Sequence, residues 1–119
     1  MTIDDLLAEH TPEVAELTLA VRAAIHSRHP ELSERVYPGW HGIGFHHPKA
    51  GYVCALFPGV DAVRLGFEHG HLMIDPDGWF DEVGGQVRYV TLTGWNADLV
   101  EPLTELVDEA IALGSDSRS

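Results

Sequence analysis

Basic residues are scarce in this chain. Only 7 of 119 residues are lysine or arginine, against 19 aspartates and glutamates, for a formal charge of −12. Such a field repels phosphate backbones, and with no basic patch the electrostatic footprint of nucleic-acid binding is missing. No nucleic-acid partner is expected. Cysteine is almost absent too. The single Cys54 excludes an internal disulfide, cannot build a cysteine-rich zinc ribbon, and suits a reducing cytoplasm. No apolar run approaches the roughly 20 residues that span a bilayer, so no membrane partner is expected. The acidic start Met1-Thr2-Ile3-Asp4-Asp5 is unlike a basic signal or transit peptide, and the expected location is the cytoplasm. The chain also lacks a nucleophile elbow, a phosphate loop and a dinucleotide-binding fingerprint.

What is present reads as one globular domain over residues 1–114, with 115–119 as a flexible tail. Thr11 as N-cap, Pro12 in the first turn and Glu13 at the positive dipole end start a helix. Val14, Leu17, Val21, Ala24 and Ile25 form its apolar face, and Pro30 ends it. Residues 3–9 predict a short helix before it. The texture then turns to strand: Val36-Tyr37, residues 42–47, 52–57, 62–68 and 86–93. Pro58-Gly59-Val60-Asp61 and Asp75-Pro76-Asp77-Gly78 supply turn chemistry. A second amphipathic helix carries Leu99, Leu103, Leu106, Val107, Ala110 and Ile111. Pro102 belongs in its first turn and Gly114 marks its stop. The prediction is an α+β fold: an antiparallel sheet of about five strands with N- and C-terminal helices packed on one face. The other face is then solvated, covered by a loop, or used.

Three segments carry a resemblance: Tyr37-Pro38-Gly39-Trp40-His41-Gly42-Ile43-Gly44-Phe45, Val53-Cys54-Ala55-Leu56-Phe57-Pro58, and Leu65-Gly66-Phe67-Glu68-His69-Gly70. In this order and spacing, continued by residues 72–78, the chain resembles the YdhG-like domains, a family catalogued as domain of unknown function 1801. The resemblance covers nearly the whole chain and implies helices against a curved antiparallel sheet. Some relatives have been proposed as frataxin-like iron chaperones for iron–sulfur cluster assembly. The resemblance implies little about activity; weak, exchangeable Fe²⁺ capture by acidic surface oxygens is the most concrete expectation, with no cofactor assigned beyond Fe²⁺ or another divalent metal. Relatives often carry a Gly-Thr-Gly-Lys-like basic stretch before the last strand. This chain reads Val83-Gly84-Gly85-Gln86-Val87-Arg88 there, which leaves only Arg88 to hold an anionic ligand.

Five of the eight histidines lie between His41 and His71, so any chemistry is expected there. If Ile43, Phe45, Leu65 and Phe67 point into the core, alternation sends Gly42, Gly44 and His46 to the opposite face. Arg64, Gly66 and Glu68 join them there. Glycines on one face hollow out a groove or mark bulges and coiling of the sheet. The groove reading makes His46, Tyr52, Arg64 and Glu68 its rim, with Trp40 and His41 presented by the preceding turn; Trp40 serves equally as a plug at the end of the core. A His-x-His pair on a strand, His69 and His71, places both rings on one side to chelate a metal, with Asp75 or Glu68 adding oxygen. His41, His46 and Glu68 are the candidate acid/base groups, while Cys54 reads as a buried hydrophobe. His10, His26 and His29 read as surface residues away from the cluster. Three functions stay open. One is a small cytoplasmic domain binding a small molecule or metal ion. The second is an enzyme acting on a small organic molecule, and no complete catalytic constellation supports it. The third is an interaction module, a homodimer included.

Overall fold

The computed structural model describes residues 1–75, 77–81 and 85–118, the last three of these by backbone alone. Two short-range signals open the chain. Thr2 and Asp5 form a reciprocal capping box at α1 (Ile3–Leu7), and the Thr11 hydroxyl accepts from the Val14 amide at the start of α2 (Pro12–Arg28). Pro12 sits in the first turn of α2, and the helix ends just before His29-Pro30. Five strands follow: β1 (Ser33–Tyr37), β2 (Gly42–His47), β3 (Gly51–Pro58), β4 (Val63–Phe67) and β5 (Arg88–Leu92). They form one antiparallel sheet in the order β1-β2-β3-β4-β5, each strand paired with its chain neighbour. A 3-10 turn over Gly70–Leu72 separates β4 from β5, and α3 (Ala97–Arg118) closes the fold.

The predicted α+β architecture is what the chain adopts. Ile43, Phe45, Cys54, Leu56, Val63, Leu65, Phe67, Val90 and Leu92 are buried under the helices, with Val14, Val21 and Ile25 from α2 and Leu103, Leu106, Val107 and Ala110 from α3. Ion pairs tie the layers together. On β1, Glu34 accepts from both Arg22 Nε and Nη2 and lies 3.0 Å from His26 Nε2. Asp108 on α3 clasps Arg28 and His29 at the end of α2. His26 and His29 are therefore half-buried ties between elements and not free surface residues, a correction to the sequence reading. No helix among the described residues is long and apolar enough to cross a membrane.

Two boundary expectations are corrected. α3 begins at Ala97, where the Asn96 side chain accepts from the Asp98 amide, so Pro102 lies inside the helix one turn later than expected. Gly114 does not stop α3, which runs on to Arg118 through most of the expected tail. Gly114 is buried against Ala50, and a Cβ there would sit 2.8 Å from the Ala50 Cβ. The glycine serves close packing between α3 and the β2–β3 turn, a purpose that local sequence does not distinguish from a C-cap.

Candidate functional site

The sheet face away from the helices is surfaced by aromatic rings. Gly44, Ala55 and Gly66 lie opposite one another on β2, β3 and β4, a row of small residues across the middle of the sheet. Aromatic rings lie over the space that this row and Gly42 would otherwise fill with side chains. A Cβ on Gly44 would stand 2.6 Å from the Tyr37 ring, one on Gly66 2.8 Å from Tyr89, and one on Gly42 2.7 Å from Phe57. The expected hollow is thus filled, not by helices but by rings laid flat from adjoining positions. Cross-strand aromatics covering glycines are a known way to stabilise otherwise weak glycine positions in sheets. The groove stands on top of this floor.

The cleft has a volume of about 490 Å³, inside the usual range for small-ligand sites. Its apolar walls are Trp40, Tyr52, Phe57 and Tyr89, completed by Pro58 and Val87. Its polar groups are His41, Arg64 and Glu68. Five of the six residues expected at the groove therefore meet there: Trp40, His41, Tyr52, Arg64 and Glu68. The sixth, His46, stands behind the wall. Its Nε2 is 2.8 Å from the Tyr37 hydroxyl, and its ring centroid is 5.5 Å from that of Tyr52. Burial, reinforced by the nearby Arg35 charge, holds His46 below the ordinary imidazole range, so it positions Tyr37 as a neutral ring.

Tyr52 reaches the cleft because of a bulge. Phe45 faces Cys54, but His46 faces Tyr52, so Val53 is an extra residue on β3. Strict alternation from buried Cys54 and Leu56 would send Tyr52 into the core; the bulge turns it to the open face. Burial, with the nearby Cys54 and Glu68 groups, raises the Tyr52 phenol well above its usual range, so it acts as a neutral hydrogen-bonding group.

Trp40 is 56% exposed and stacks on Tyr37, with centroids 4.6 Å apart and planes at 25°. It is not the core plug that one reading allowed. His41 adopts φ +55 at the end of the β1–β2 turn, a left-handed conformation that non-glycine residues adopt at a cost. Its Nε2 meets His10 Nε2 at 2.6 Å, while His10 Nδ1 lies 2.9 Å from the Gly59 carbonyl oxygen. A carbonyl only accepts, so His10 Nδ1 donates and its Nε2 receives the proton of His41 Nε2–H. His41 Nδ1 is left 3.9 Å from Glu9 Oε2. His10, read as remote from the cluster, is thus joined to it. The contact links positions 31 apart in sequence and carries no local signal.

The metal reading fares differently. β4 ends at Phe67, so His69 and His71 lie in a turn and a 3-10 turn and lack the strand geometry that would align them. His71 Nδ1 is 3.1 Å from the Gln86 carbonyl oxygen. The two Asp75 carboxylate oxygens accept from the Trp79 and Phe80 amides, each at 2.8 Å. Among the described residues no three His, Cys, Asp or Glu side chains are placed to hold a metal ion. Of the stretch proposed to have lost its basic residues, Val83 and Gly84 lie outside the described residues, as does Pro76 of the 75–78 turn.

Phe57, Tyr89 and Val87 are cleft residues that the sequence reading missed. Phe57 and Arg64 are paired in register, as are Gly66 and Tyr89, and alternation applied to β3 and β5 would have found the two aromatics. A second cleft of about 580 Å³ lies between α2 and the β3–β4 turn, but Glu13, Glu16 and Asp61 line it with no histidine or basic residue. No family model, curated protein or solved structure matches this chain.

Proposed function

We propose that this chain is a binding domain for a small, flat organic molecule, seated in the aromatic cleft of the open sheet face. One observation carries the reading: four aromatic rings and three polar groups converge on one cleft of ligand size, with Trp40 more than half exposed at its mouth. An exposed tryptophan fixed by stacking is a preformed platform, because ordering it on binding costs little further entropy. Weak iron capture, the other concrete version, gains no such support from the placement of His69, His71 and Asp75. The five-stranded sheet with flanking helices agrees with the architecture that the YdhG-like resemblance implies, and that agreement is support at the level of fold.

Ligand-observed NMR with flat aromatic probes tests the proposal. Binding should shift the Trp40 indole and Tyr52 ring signals and be abolished in Trp40→Ala. If no aromatic probe binds, or if bound probes perturb only residues outside this cleft, the proposal falls. A second reading, an enzyme using His41 as acid/base, is favoured by the hydrogen-bonded His10 and the strained His41 backbone. It requires that a bound molecule be turned over, and that His41→Gln stop turnover without releasing the molecule.

A further inference from the structure

We propose that the cleft is polarised end to end and selects a flat organic carboxylate, whose acid group docks on Arg64 and whose far end donates a hydrogen bond to Glu68. The inference rests on the binding reading above and names its ligand class. Arg64 and Gly66 alternate onto one face of β4; Glu68 follows the strand's end, its amide bonded to the Val53 carbonyl while Arg64 faces Phe57, so the two lie toward opposite ends of β3. A positive group thus stands at one end of the aromatic cleft and a negative group at the other, with the ring-covered glycine between them.

The state of Arg64 carries the argument. The chain has few basic side chains and many carboxylates. Arg22 and Arg28, on the helix side, are both engaged by acids. Arg64 instead lies over the Tyr89 ring, its Cζ 3.8 Å from the centroid, with no carboxylate in ion-pair reach among the described residues. The contact holds the guanidinium over the ring, and among the described residues no hydrogen-bond acceptor takes its N–H groups, which leaves the fork that suits a carboxylate. At the other end, among the described residues, Gln86 supplies the side-chain partner of Glu68: its amide lies 3.5 Å from Oε1 and 3.2 Å from the backbone oxygen. Its remaining acceptor capacity faces a donor on the ligand. A single arginine in a chain of charge −12 suits a monoanion and disfavours polyphosphates, which need several cations.

Three rigid probes separate the terms: a naphthalene carboxylate, its carboxamide, and an amino-naphthoate with the amine at the far end of the ring. Titration by calorimetry, with the Trp40 signal as site marker, should show the carboxylate binding at least about tenfold tighter than the carboxamide. In Arg64→Gln that preference should shrink to about twofold or less, with carboxamide affinity kept. The amine should add about threefold or more, lost in Glu68→Gln. Melting curves of both variants confirm folding, and Arg64→Lys provides a second variant that keeps the charge and loses the fork. If carboxylate and carboxamide bind at Trp40 with equal affinity, or if Arg64→Gln retains the preference, the inference is wrong while the cleft reading stands. If no probe binds at Trp40, both are wrong.

Discussion

Replacing Gly66 by alanine tests whether aromatic rings take the place of missing side chains on the open sheet face. In an ordinary strand the change would stabilise, since glycine loses more backbone freedom on folding, worth about 0.5–1 kcal/mol. Here the new methyl stands 2.8 and 3.0 Å from two Tyr89 ring carbons and 3.2 Å from the Phe57 ring. Ordinary contact begins near 3.4 Å, so Tyr89 must lift by several tenths of an ångström. The Arg64 guanidinium, 3.8 Å from the ring centroid, must adjust with it. Overpacking of this kind costs about 1–3 kcal/mol, and the expected net loss is about 1–2 kcal/mol. For a domain of this size that corresponds to a fall in Tm of roughly 3–10 °C. Tyr89→Ala removes the obstructing ring and leaves only the looser Phe57 contact. In that background Gly66→Ala should be neutral or stabilising, for a coupling of about 1–3 kcal/mol. Urea unfolding followed by circular dichroism on the four proteins gives the cycle. Equal effects of Gly66→Ala with and without the Tyr89 ring would refute the reasoning.

Further outcomes follow from other contacts. His41→Gly relieves the left-handed backbone by about 1–2 kcal/mol and loses the His10 hydrogen bond, about 1 kcal/mol; stability should change little, while the His10 NMR signals move. Burial raises the Glu34 carboxyl, but hydrogen bonds from Arg22 and His26 outweigh it and hold the group below its ordinary value of 4.5. Its contribution is therefore full above about pH 4.5 and is lost as pH falls through the lowered folded value. Glu34→Gln should cost about 1–3 kcal/mol at neutral pH, and its urea midpoint should converge on the wild type in acid. Cys54 is wholly buried, and burial pushes its thiol up to about 12. A thiol reagent should label it only on unfolding, and labelling of the native protein would contradict its place under the helices. Gly114→Ala should destabilise despite alanine's better helix propensity, because the Ala50 Cβ cannot swing away at 2.8 Å; Ala50→Gly should restore the loss in a melting experiment.

The cleft was legible in part, and the misses are instructive. Alternation along β2 and β4 was enough to gather Arg64 with the glycines, because a period of two follows from strand geometry alone; Glu68, one residue past the end of β4, keeps to the same cleft. Phe57 and Tyr89 obey the same rule but lie on strands where the rule was not applied. Tyr52 reached the expected place by a different route, a bulge at Val53. His10 was misjudged because nothing local links it to His41. His69 and His71 were given a strand that ends at Phe67, just before Gly70 enters the 3-10 turn. A Cβ at Gly70 would stand 2.4 Å from the Arg88 Cβ, so close approach of β5 holds that turn.

Caps, turns and apolar periodicity are properties of neighbouring residues, and they set the helix start at Thr11, its end before Pro30 and five strands in order. The acidic charge and scarce cysteine likewise follow from composition, without coordinates. Only the folded chain decided that Gly44 and Gly66 would be roofed by Tyr37 and Tyr89, that Gly114 would pack and not terminate, and that His10 would meet His41. Those outcomes depend on distance between residues far apart in the chain, where steric fit and hydrogen-bond geometry act and local propensity has no reach.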